Sequence, residues 1–148
     1  MRSITAQNKG ERVTEPVILL VDPDAANRRL VREGFLSVLG NFFRYAEAGN
    51  VGLANDHIFN QLITTGQLPS LIVSELLVPS KVGELVVYPN EVNQSYPEIP
   101  ILLHTQVPKD QAIGKVKARV QLMGYLVKPW QPQEHPTQLA QLLAQLVA

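Results

Sequence analysis

The stretch VILLVDPD, at residues 17–24, decides the fold class because an unbroken apolar run leads directly into carboxylates. Five aliphatic residues in succession are typical of a strand that is buried on both faces of a parallel sheet. The Asp-Pro pair that follows ends the strand, and Asp24 is placed to cap a helix. Apolar residues then recur at helical spacing over residues 26–39, so the pattern predicts a strand followed by a helix.

The rest of the chain repeats this alternation of strand and helix. Segment 84–98 contains two prolines and is expected to form only a short or irregular helix. Five strands that alternate with helices predict a parallel sheet with helices on both faces. Further strands are predicted at 42–48, 71–73, 101–103 and 125–127, and further helices at 51–65, at 109–123 and from about residue 136.

Composition excludes several classes of function. The 148 residues suit one domain, predicted at 16–148 after a polar leader at 1–15. Thirteen basic and thirteen acidic residues cancel, so the chain lacks the positive excess of a nucleic-acid-binding protein. The absence of cysteine excludes disulfides and thiolate sites. Without a signal peptide or an apolar run of about 18 residues, we expect a soluble cytoplasmic protein with no membrane partner.

Polar residues follow four of the predicted strands. Asp22 and Asp24 come after the first strand, Glu75 after the third, Thr105 after the fourth and Lys128 after the fifth. Because the carboxyl ends of parallel strands meet at one edge of a sheet, these side chains are expected to lie together. Carboxylates can hold a divalent cation, whereas a lysine and a hydroxyl suit an anionic phosphoryl group.

Two segments resemble the receiver domain of two-component response regulators: residues 69–79, around Glu75, and residues 124–130, GYLVKPW. The likeness spans 16–148. It implies the flavodoxin-like five-stranded sheet, in the order 2-1-3-4-5, and a cis peptide bond between Lys128 and Pro129. It also implies a role for each matching residue: the phosphoacceptor position for Glu75, the first acidic position for Asp22, the switch hydroxyl for Thr105, the pocket lysine for Lys128, and the aromatic that changes rotamer for Tyr125.

The chain departs from the receiver pattern at two positions. Pro23 stands where the family has a magnesium-ligating acid, and Glu75 stands where it has aspartate. The extra methylene of glutamate moves the carboxylate by roughly one C–C bond, and misplacement near 1 Å costs about 100-fold in rate. The chain is therefore predicted to be a stand-alone pseudo-receiver that has lost phosphorylation, with no catalytic residue and no cofactor. Glu75 would then extend a fixed negative charge toward Lys128.

Other interpretations of these residues stay open at this stage. The pair of Glu75 and Lys128 could merely neutralise two charges, or the pocket could still accept a phosphoryl group with Mg²⁺ present. Asp22 and Asp24 are weak candidates for metal ligands, against structural roles as a hydrogen-bond acceptor and a helix cap. In the phospho-accepting alternative, a histidine kinase would be a partner.

A protein partner or a second copy of the chain is predicted to bind the face formed by the fourth helix, the fifth strand and the last helix. The fourth helix is basic, the last helix carries no charge from residue 138 to residue 148, and Tyr125 lies between them. Trp130 could anchor an interface or pack at the sheet edge. The residues assigned to switching or to this interface are Tyr125, Trp130, Lys115, Arg119, Gln141 and Gln145.

The three histidines are assigned no catalytic role. His104 falls within a buried strand and is expected to be a core histidine whose hydrogen bonds are satisfied. His57 and His135 have no second ligand at metal-binding spacing.

Overall fold

The computed structural model describes residues 15–131 and 134–147, apart from the side chains of residues 143 and 145–147. Most of the predicted leader lies outside the described residues, and the division into leader and domain stays a prediction. Strands are β1 (Val17–Val21), β2 (Arg44–Ala48), β3 (Leu71–Ser74), β4 (Leu77–Pro79), β5 (Leu85–Val87), β6 (Ile101–Thr105) and β7 (Leu122–Val127). Helices are α1 (Ala25–Leu39), α2 (Val51–Thr65), α3 (Tyr88–Ser95), α4 (Lys109–Lys115) and α5 (His135–Val147).

Five of the strands form one parallel sheet in the order β2-β1-β3-β6-β7, which confirms the predicted topology. Alternate residues of β1 belong to different cores, because successive side chains of a strand point to opposite faces. Ile18 and Leu20 pack with Phe35 of α1, while Leu19 packs with Ile58 of α2. No helix in the described part of the chain combines the length and hydropathy of a membrane-spanning helix.

Side chains of the strand-to-helix turns cap the two long helices. Asp24 Oδ1 accepts a hydrogen bond from the Ala26 N–H at 2.9 Å, as the sequence predicted for this position. Asn50 Oδ1 accepts from the Leu53 N–H at 2.8 Å at the start of α2. These bonds satisfy N–H groups that have no partner within the helix, and they fix where each helix leaves the sheet edge.

Trp130 is a packing residue, which corrects its assignment to an interface. Only 8% of it is exposed. Its ring covers Gly34 of α1 so closely that a Cβ at that position would lie 2.1 Å from Trp130 Cζ2. The absence of a side chain at Gly34 therefore lets the indole fill the space between α1 and the segment that enters α5.

The predicted helix 109–123 was wrong in its second half. α4 ends at Lys115, a loop follows, and β7 begins at Leu122, three residues before the predicted strand. The side chain of Asn90 in α3 fixes this loop, since its amide donates to the Lys115 carbonyl and its oxygen accepts from the Lys117 N–H. Val116, with extended backbone, packs into the core from this loop.

Segment 77–87 forms an antiparallel hairpin of β4 and β5, which the sequence did not predict. The short helix expected within 84–98 is α3. The strand predicted from residue 42 begins two residues later, at Arg44. The hairpin follows Glu75 directly, so it forms one wall of the site described next.

Candidate functional site

The carboxyl ends of the parallel strands bring the predicted polar residues together around one cleft. Asp22 follows β1, Glu75 follows β3, Thr105 ends β6 and Lys128 follows β7. All four line a cleft of about 580 Å³, together with Asp24 and the apolar side chains of Leu77, Leu85 and Val107. The Lys128–Pro129 peptide bond is cis, as the family resemblance implied.

The Lys128 ammonium holds two carboxylates of this cleft, the buried Asp22 and the partly buried Glu75. Its Nζ lies 2.6 Å from Asp22 Oδ2 and 2.6 Å from Glu75 Oε1. The side chains of Lys128, Asp22 and Glu75 are only 7%, 7% and 17% exposed, so solvent screens these charges weakly. Charge-assisted hydrogen bonds of this length are the strong ones in proteins. We call these three residues the charge triad.

Backbone groups hold the second oxygen of each carboxylate. The Asp24 N–H donates to Asp22 Oδ1 at 2.8 Å, and the Leu76 N–H donates to Glu75 Oε2 at 2.7 Å. Each carboxylate therefore accepts one hydrogen bond from a backbone N–H and binds the Lys128 ammonium with its other oxygen. This arrangement fixes the orientation of the charge triad without an external ligand.

Burial and pairing shift the pKa of two members of the triad. Burial raises the pKa of Asp22 above its usual range, and this outweighs the opposing effect of Lys128. Burial alone would lower the pKa of Lys128, but its hydrogen bonds to Asp22 and Glu75 outweigh that and raise the pKa. The lysine is therefore charged throughout the physiological range.

Thr105 and Tyr125 both bind Val107 in the loop between β6 and α4. The Thr105 hydroxyl accepts from the Val107 N–H at 3.3 Å, and the Tyr125 hydroxyl donates to the Val107 carbonyl. Burial, with a smaller effect from Glu75, raises the pKa of Tyr125, so the phenol stays protonated. The two residues that the resemblance assigned to switching thus attach the same loop residue to the sheet.

The side chains that could offer oxygens to a metal ion already have partners. Pro23 has no side-chain oxygen, and the Lys128 ammonium lies 2.6 Å from one oxygen of each carboxylate. Asp24 Oδ1 caps α1 and its Oδ2 accepts from Asn27. Within residues 15–131 and 134–147, no three acidic or histidine side chains are arranged to hold a metal ion.

Arg28 supports the site from α1, and sequence reasoning missed it. Its Nη1 donates to the backbone carbonyl of Asp22, and its Nε donates to Glu47 Oε1 at 3.1 Å. Arg32 binds the other oxygen of Glu47 at 2.7 Å. One available signal was the spacing of Arg28 and Arg32, which places both on the same face of a helix.

Only some of the residues predicted for an interface are exposed. Lys115 and Gln141 are exposed, as are the apolar side chains of Ile113 and Val127, at 40% and 43%. Arg119 lies in the loop after α4 and donates to Asn93 of α3 at 3.0 Å, so its guanidinium already has a partner. The side chain of Gln145 lies outside the described residues.

His104 is buried, as the sequence predicted, but its Nε2 has no protein partner among the described residues. Only 3% of the residue is exposed. Its ring contacts Trp130 and His135 edge-on, with centroids 6.1 and 6.4 Å away. Burial, with smaller effects from Lys128 and His135, lowers the pKa of His104 to about 3, so the imidazole is neutral.

The comparisons with known proteins found similar solved structures but no similar sequence family. No protein-family model matches the sequence, and no curated protein matches it significantly. The signal receiver domain of an HD domain-containing protein from Pseudomonas fluorescens Pf-5 is 24% identical, with 95% of each chain covered and a TM-score of 0.61.

Two further solved structures agree with that comparison. A signal receiver domain of a two-component histidine kinase from Clostridium thermocellum is 15% identical, with 90% of this chain and 98% of the other covered and a TM-score of 0.63. The Mn²⁺-bound form of the response regulator Rcp1 is 23% identical, with 87% and 92% covered and a TM-score of 0.61. The chain therefore has the fold of the signal receiver domains of two-component response regulators.

Proposed function

We propose that this domain acts in signal transduction as a pseudo-receiver, through contact with another protein and without accepting a phosphoryl group. The observation that supports this most strongly is the charge triad. Lys128 lies 2.6 Å from both Glu75 and Asp22, so the carboxylate at the acceptor position is already paired with a cation and held in place. Pairing with a cation lowers the basicity of a carboxylate and so makes it a weaker nucleophile.

Loss of the metal position supports the same proposal. Phosphoryl transfer depends on positioning and on neutralising the charge of the transferred group, and a divalent cation commonly does both. Pro23 offers no oxygen for such an ion, and the lysine supplies only one positive charge against Asp22 and Glu75. The Mn²⁺-bound state of the neighbour Rcp1 is a property of that protein.

A phospho-accepting regulator is the second candidate, and one observation favours it. The cleft beside Glu75 is open, with about 580 Å³ of space and Thr105 at its edge, so a small phosphoryl donor can enter. Incubation with acetyl phosphate and Mg²⁺, followed by intact-mass measurement, separates the two candidates. We expect no added phosphoryl group on the natural chain. The double variant Pro23→Asp with Glu75→Asp, which has the family residues at both positions, serves as the positive control.

The contact is proposed to use the face of α4, β7 and α5. Exposed charge and apolar surface come from Lys115, Ile113 and Val127, and the exposed Gln141 of α5 is uncharged and easy to desolvate. Lys115→Glu should weaken binding of a cross-linked protein partner, or self-association in sedimentation experiments. Arg29→Glu, a change at another exposed basic residue, on α1, should leave both unchanged. Equal effects of the two variants on binding would show that the face of α4, β7 and α5 is not the interface.

A further inference from the structure

A small, partly open cavity lies beside the two carboxylates of the charge triad, between α1 and the sheet. Its volume is about 10 Å³, and its lining includes Asp22, Glu75 and Asn27 together with His104. A cavity measured in this way needs on the order of 10 to 15 Å³ to hold one water molecule, which also needs two to four polar partners. The cavity therefore reaches the lower bound of that size, and its mixed lining contains polar groups that can bind a single water.

His104 supplies one of the required partners. Buried ring nitrogens of histidine are normally hydrogen-bonded, and an unsatisfied one costs free energy. Nε2 of this residue has no partner among the described residues, and His104 is 97% buried because only 3% of it is exposed. As a neutral imidazole, it offers one N–H donor and one acceptor nitrogen, and either can bind water.

Asp22 supplies the other partner. Its Oδ1 accepts from the Asp24 N–H and its Oδ2 binds Lys128, which leaves a second acceptor position on each oxygen. A water that donates one hydrogen to this carboxylate can still donate to, or accept from, an imidazole nitrogen. A single water molecule can therefore hydrogen-bond to both the Asp22 carboxylate and the His104 imidazole.

We propose that this cavity holds one ordered water molecule that bridges His104 Nε2 and the Asp22 carboxylate, which makes His104 a positioning residue for the charge triad. The imidazole also lies edge-on to Trp130 and His135, so the bridge connects the triad to the start of α5. The inference does not depend on the proposed function, because it concerns only how Asp22 is held.

The natural chain tests the water directly. A crystal structure at high resolution should show one density peak within hydrogen-bond distance of both His104 Nε2 and an Asp22 oxygen. Nuclear Overhauser transfer from water to the protons around the cavity should show the same molecule in solution. A cavity with no water in either measurement would overturn the proposal without any variant.

Three variants test the positioning role. The reporter is the amide resonance of Asp24, because this N–H donates to Asp22 Oδ1. His104→Phe keeps an aromatic ring beside Trp130 but removes both nitrogens, and it should shift that resonance and lose the water. His104→Gln places an amide near the position of Nε2 and should restore both. His135→Phe alters the same aromatic cluster away from the cavity and should change neither.

Two results for the variants would contradict the proposal. One is an equal shift of the Asp24 amide in His104→Phe and His135→Phe, which would indicate a general packing effect. The other is a His104→Gln variant that behaves like His104→Phe, which would show that the polar atom at this position has no part in holding Asp22.

Discussion

Replacing Lys128 with methionine removes the cation that holds the charge triad and leaves a side chain of similar length. Asp22 and Glu75, with side chains 7% and 17% exposed, would then face each other without a counter-charge. Breaking a buried ion pair by removing one partner costs about 3–5 kcal/mol. We expect about 3 kcal/mol here, at the lower end, because the cleft lets water reach one side of the pair.

The pH dependence of this loss identifies its cause. Without the ammonium, the two carboxylates repel each other and the folded state takes up a proton that the unfolded chain does not bind near neutral pH. Where the folded state binds more protons, stability rises as pH falls, so the deficit of Lys128→Met should shrink between pH 7 and pH 5.

Urea unfolding at pH 7 and at pH 5 measures both effects. Lys109→Met, a change at an exposed lysine of α4, is the control and should alter stability by no more than about 0.5 kcal/mol at either pH. A loss below about 1 kcal/mol at pH 7, or a loss that is equal at both pH values, would refute the reasoning that the triad is a buried and mutually dependent set of charges.

Three further predictions concern the structure around the site. The pKa of His104 is about 3 in the folded chain against a usual 6.5, so the unfolded chain binds the extra proton between these values. Stability should therefore fall with falling pH in that window, by up to about 1.4 kcal/mol per pH unit, and urea unfolding of His104→Gln should show a shallower slope. Gly34→Ala should cost about 1–3 kcal/mol in thermal unfolding and shift the fluorescence of Trp130, because the new methyl would overlap the indole; an unchanged emission spectrum would argue against this contact. Asp24→Ala should cost about 1 kcal/mol in urea unfolding, since the Ala26 N–H loses its cap, and a neutral result would mean that water replaces the cap at no cost.

Four strands of the sheet were predictable because each contains a short apolar run with a clear end, whereas the edge strand β2 has the mixed sequence RYAEA. The hairpin was not, because Leu77–Pro79 and Leu85–Val87 are each three residues long and pair only across a loop. The error in α4 has a similar origin. Val116 and Val120 fit a helical stripe, yet they pack into the core from a loop that Asn90 holds in place.

The composition of the site and the pair of Glu75 with Lys128 were predictable, whereas most of the other hydrogen-bond partners were not. The strand ends located Asp22, Glu75 and Lys128, because parallel strands end at one edge of the sheet. The Lys128 ammonium binds both carboxylates because of the conformations of the three side chains. The spacing of residues in the sequence does not determine these conformations. The contact of Arg28 with the Asp22 carbonyl and the cavity beside His104 depend on how α1 packs on the sheet.

An NMR titration with Mg²⁺, followed by beryllofluoride as a mimic of a phosphoryl group, tests most directly whether the domain has lost phosphoryl chemistry. We expect the amide resonances of Asp22, Glu75, Thr105 and Lys128 to stay in place at millimolar Mg²⁺ and after beryllofluoride is added. Shifts at these residues, with Tyr125 following when beryllofluoride binds, would contradict this expectation. The domain would then be a working phosphoryl switch despite Pro23 and Glu75.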